Sequence, residues 1–150
     1  MREIILITIA ITFYSFVGFV WAKFGILKSI SESYYKVGWL FPAFCLIVGI
    51  GTFAIAWIDN SFLLASSGGA LVVVGVLPEI KIPYIKYRHI IAAVLCIILS
   101  QLAIYFNYHD WQVNVLFVVF TAIFMIFKKR IFEIWWEEVV AFTCIFVVLI

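Results

Sequence analysis

A chain of 150 residues that is 67% hydrophobic, carries 16 Phe and is only 12% charged has too little polar surface to enclose a water-soluble core. Its net charge of +2 gives no basic surplus, and no nucleic-acid partner is expected. The apolar residues come in blocks rather than at a period of two or 3.6, the pattern of helices wetted by lipid on one side and by other helices on the other.

The first block runs from Ile4 to Ala22. It lacks a small-x-small cleavage site with a hydrophilic chain behind it, so it reads as a retained helix and not a signal peptide. The most polar stretch of the chain follows, "KSISESYYKVG" from Lys28 to Gly38. Ser29 to Glu32 is Ser-x-x-Glu before an apolar run, a capping box in which the serine takes one orphan N–H and the glutamate reaches back to another. The second helix is therefore expected to start near Ile30, run along the interface with Tyr34 and Tyr35 at headgroup depth, and kink at Pro42.

The second block spans Val37 to Ile58 and contains Gly49 and Gly51; the third spans Phe62 to Pro78 and contains "ASSGGA", Ala65 to Ala70. The fourth, His89 to Phe106, carries a stripe of His89, Ala93, Cys96, Ser100 and Ala103, which share one helix face. Small residues at that spacing let helices approach closely, and a packed interior is the favoured reading over a water-filled path. Trp111 to Phe127 and Ile134 to Ile150 complete six blocks. A spanning helix needs about 17–25 residues, and each block is long enough, some only just. Ser66, Ser67, Gln101 and Asn114 are uncharged polar groups able to hydrogen-bond between helices.

With six crossings, nine of the ten Lys and Arg residues fall on one side, and Arg2 alone falls on the other. The positive-inside rule makes that side cytoplasmic and leaves both termini outside. Lys81, Lys86, Arg88, Lys128, Lys129 and Arg130 then become contacts for anionic lipid, each adding roughly 1 kcal/mol near the surface. All six Trp lie near block ends, as an interfacial belt requires. Cys45, Cys96 and Cys144 have neither metal-site nor redox spacing and read as apolar filler. Neither metal nor cofactor is expected.

The same inner side gathers a candidate polar cluster: Ser29, Ser31, Glu32, Ser33 and Tyr34 from the polar run, then Glu79, His89, Glu137 and Glu138. Glu137 shares a helix face with Glu133, whereas Glu138 points about 100° away. No block carries a charge at mid-depth, which argues against a proton-coupled transporter. Phosphate loops, His-Glu-x-x-His and Gly-x-Ser-x-Gly are absent.

"SISESYY", the later "VGVLPEIK" and His89 soon after its proline together resemble small uncharacterised bacterial six-span membrane proteins over most of the chain. A fainter similarity is to the membrane-embedded hydrolases that include alkaline ceramidases and adiponectin receptors, which hold zinc with three histidines. The His-x-x-x-His pair of that family is missing here, and His89 and His109 fall on opposite sides. The expected fold is all-α, a polytopic six-helix transmembrane bundle in one domain of the bacterial inner membrane. The expected function is lipid or partner binding without catalysis, possible as a homo-oligomer; the alternatives are a small channel and a membrane-interface lipid hydrolase.

Overall fold

The computed structural model describes residues 1–78, 82–126 and 133–150, with backbone alone for 124–126 and 133. Among the described residues every regular element is helical. The elements are α1 (Arg2–Phe24), a 3₁₀ turn (Ile30–Ser33), α2 (Tyr34–Val37), α3 (Leu40–Ile58), α4 (Phe62–Val76), α5 (Pro83–Phe106), α6 (Trp111–Ile126) and α7 (Glu133–Leu149).

α1, α3 and α5, of 23, 19 and 24 residues, are long and apolar enough to cross a membrane. α4, with 15 residues, is apolar but shorter, about 22 Å at 1.5 Å per residue. It packs between α3 and α5; α3 also packs on α1, α5 on α6 and α7, and α1 touches α7 to close the bundle.

α5 starts six residues before the apolar block that marks it in the sequence. Pro83 occupies its first turn, where the missing N–H has no intrahelical partner to lose, and "YIKYR" continues the helix despite its charges. The second block departs further from expectation. A helix does not run on from Ile30, because Gly38 adopts φ +58° and ends α2 after one turn. α3 restarts at Leu40, which puts Pro42 in its first turn, where proline is tolerated and no mid-helix kink arises. The tryptophan expectation also needs correction at one position: Trp135 is 1% exposed and belongs to the core, whereas Trp39 and Trp57 are largely exposed.

Close helix approach rests on glycine. A Cβ at Gly68 would lie 2.7 Å from the Gly49 carbonyl oxygen, and one at Gly75 would lie 2.6 Å from Cys45 Cβ. α3 and α4 thus meet backbone to backbone, closer than any side chain permits. α4 and α5 are joined by the Ser67 hydroxyl, which donates to the Cys96 carbonyl at 2.8 Å. α5 and α6 are joined by Asn114 Nδ2, which donates to the backbone and side-chain oxygens of Gln101. All three cysteines are buried thiols. An aromatic cluster joins α1, α3 and α7: Phe13 lies 4.9 Å from Phe142 and 5.5 Å from Phe146, and Phe16 stacks on Phe44 at 4.2 Å.

At one end of the bundle Arg2 Nε donates to Asp59 at 2.9 Å and its Nη1 donates to the Leu149 carbonyl. The Tyr108 hydroxyl donates to the same carboxylate at 2.8 Å. Burial, then the Asp59 carboxylate, push the Tyr108 hydroxyl well above its ordinary pKa. One carboxylate therefore ties together the start of α1, the α3–α4 turn and the α5–α6 connection, and through Arg2 the end of α7. Asp59→Ala is expected to lower stability by about 1–3 kcal/mol, limited by the partial exposure of the pair, as read from thermal unfolding in detergent.

Candidate functional site

The opposite end is built around the chain between Gly25 and Gly38, both at positive φ (+74° and +58°). These two reversals let residues 26–37 lie across the end of the bundle as a strap. Within it Ser29 caps the 3₁₀ turn, its Oγ accepting from the Glu32 N–H at 3.3 Å. Glu32 reaches back, but to the Lys28 N–H at 2.9 Å, one residue earlier than a capping box places it.

Glu138 and His89 fix the strap to the bundle. Glu138 of α7 accepts from the Ile30 N–H at 2.6 Å, taking one of the donors that a helical turn leaves open at its start. His89 of α5 holds Ser31. Its Nδ1 lies 2.8 Å from the Leu77 carbonyl oxygen, which can only accept, so Nδ1 carries the proton. In the neutral ring Nε2 then offers a lone pair, 2.8 Å from Ser31 Oγ, and the serine hydroxyl donates to it. Ser31 and His89 are both buried, at 6% and 3% exposure, so solvent does not compete for this bond. Leu77, just past the end of α4, turns its carbonyl to the His89 ring.

Two cavities meet here. One, of about 400 Å³, lies between the strap, α5 and α7. Its polar end is Ser29, Ser31, Lys86, His89, Glu137 and Glu138, and its apolar wall includes Ile90, Val94, Ile97 and Ile134. Ile90, Val94 and Ile134 are also exposed on the outer surface. The second cavity, of about 510 Å³, is walled by Lys28, Glu32, Tyr35, Pro83 and Tyr87, and it shares Ser29 and Lys86 with the first. Behind Ser31 and Glu138 a further void of about 30 Å³ reaches toward Phe41 and Cys96.

Of the residues singled out in the sequence, Ser29, Ser31, His89, Glu137, Glu138 and Lys86 come together on the apolar-walled cavity of about 400 Å³. Glu32 faces the second. Ser33 is fully enclosed, and among the described residues its hydroxyl has no hydrogen-bond partner. Tyr34 packs edge-on against Tyr35 at 5.3 Å and lines neither cavity. Arg88 lies over the Tyr84 ring and bonds its hydroxyl, apart from both cavities. Glu79, Lys81, Lys128, Lys129 and Arg130 lie outside the described residues.

Lys28, Tyr87 and the Leu77 carbonyl are additions that sequence reasoning did not single out. Tyr87 follows once α5 is extended back to Pro83, whereas Lys28 belongs to the strap; a backbone carbonyl leaves no trace in residue type. Among the described residues no three His, Cys, Asp or Glu converge on a common point. No protein-family model matches the chain, and no match is found among the curated proteins or the solved structures.

Proposed function

We propose that the chain is a six-span integral membrane protein whose strap end holds an anionic membrane lipid, with both termini on the non-cytoplasmic side. The observation that carries the lipid reading is the pairing of the two cavities through Ser29 and Lys86. One offers cations and tyrosine rings, suited to a charged headgroup; the other offers a polar end followed by an aliphatic wall, suited to a chain. Glu32 also faces the headgroup cavity, and its carboxylate is turned onto the Lys28 N–H.

Several features support the membrane setting. α1, α3 and α5 have spanning length. Large apolar side chains such as Ile4, Phe62, Ile91 and Val118 are more than half exposed, a surface that water does not favour. Lys23, Lys28, Lys36, Lys86 and Arg88 belong to the strap end, while Arg2 is bonded into the other end. That asymmetry supports a strap in the cytoplasmic leaflet. The short α4 is compatible with a span because α3 and α5 flank it. A permeation path along the small-residue faces has less to rest on, since Gly49 and Gly68 already touch.

The purified protein is expected to retain phosphatidylglycerol over phosphatidylcholine on mild extraction, as measured by native mass spectrometry. Lys86→Glu should reduce that preference about tenfold or more, from roughly 1 kcal/mol for the lost cation and a similar repulsion from the new anion. Equal retention of both lipids by the unaltered protein would sink the reading.

A further inference from the structure

The contact between Ser31 and His89 does more than anchor the strap. Ser31 Oγ stands 2.8 Å from His89 Nε2, and the Leu77 carbonyl, 2.8 Å from Nδ1, fixes the ring so that its lone pair faces the hydroxyl. This is the order of nucleophile, base and orienting group that activates a serine, with a backbone carbonyl as the third member. Ser29 and Ser33 do not share it: Ser29 Oγ takes the Glu32 N–H, and among the described residues Ser33 Oγ has no partner. Both Ser31 and His89 line the 400 Å³ cavity, at the polar end from which the aliphatic wall departs. In a lipid lying with its headgroup by Lys86 and its chain along Ile90 and Val94, that end meets the ester linkage.

From this geometry we infer that the chain cleaves a carboxylic ester of an anionic glycerolipid, with Ser31 as nucleophile and His89 as general base; the inference rests on the lipid reading above. Ser31 Oγ bonds to the ester carbonyl carbon while its proton passes to His89 Nε2. The tetrahedral intermediate collapses by breaking the bond to the glycerol oxygen, which leaves with that proton as the lysolipid alcohol. Water then attacks the acyl-serine and gives a proton to Nε2, and Ser31 Oγ departs and recovers it as the fatty acid is released.

The test uses the full-length protein in phosphatidylglycerol nanodiscs, with a fluorophosphonate as probe. One phosphonate adduct is expected, on the peptide that contains Ser31, together with release of fatty acid from ester-linked phosphatidylglycerol and none from its ether-linked analogue. Ser31→Ala should lose the adduct and the release. His89→Ala should slow release by about 10²–10⁴-fold, the usual contribution of a positioned base. An unlabelled Ser31 and no fatty acid from unaltered protein that retains the lipid would overturn cleavage and leave binding standing. Neither retention nor release would overturn both. Release that persists in Ser31→Ala would overturn the assignment of the nucleophile.

Discussion

Gly68→Val is expected to destabilise the bundle by about 3 kcal/mol, at the upper end of ordinary overpacking. The new Cβ would stand 2.7 Å from the Gly49 carbonyl oxygen and 2.9 Å from the Phe53 amide nitrogen. Both are backbone atoms of α3 and cannot swing aside, so α3 and α4 must separate. Gly69, the next residue, has nothing within 4 Å of a built Cβ. Gly69→Ala is therefore expected to be neutral or to stabilise by up to about 1 kcal/mol through helix propensity alone. Thermal unfolding of the two variants in one detergent checks both; equal behaviour would mean that the α3–α4 contact is not close-packed.

His89→Ala is expected to cost about 2–4 kcal/mol. It removes a buried ring and leaves the Ser31 hydroxyl and the Leu77 carbonyl without the partner each now has, at about 1–3 kcal/mol for a buried group left unpaired. The loss should be local before it is global. Amide exchange at residues 30–33 should accelerate, while exchange in the middle of α3 and α4 stays slow. Ser33→Ala serves as the comparison, because its hydroxyl is enclosed and makes no bond among the described residues. It is expected to fall within about 0.5 kcal/mol of the unaltered protein. Hydrogen-exchange mass spectrometry separates the two variants, and equal exchange at the strap would show that His89 does not hold it.

Helix positions were legible because an apolar run needs no partner to declare itself. The ends of α3, α4 and α6 fall close to the ends of their blocks. The start of α5 was not, since Tyr84, Lys86, Tyr87 and Arg88 interrupt apolarity without interrupting the helix. Gly38 illustrates a second limit: the residue is visible, but whether it bends the chain depends on a dihedral angle that packing selects. At the site, charge sidedness pointed to serines, His89 and the α7 glutamates as neighbours. Which serine meets the histidine was beyond reach, because Ser29, Ser31 and Ser33 alternate through a single turn and only its rotation against α5 decides. Trp135 shows the converse, an interfacial residue type at a helix end that packing draws inward.

The bonds that hold the strap reach far along the chain: Ser31 meets a residue 58 positions later, and Ile30 one that is 108 positions later. A ribosome delivers residues in order, so the nascent chain exposes these serines well before either partner has been synthesised. The strap gains its first clasp only with α5 and its second only with α7, so its maturation is a late event of biogenesis. Truncation ahead of α7 would therefore leave most helices formed and the strap held through His89 without Glu138.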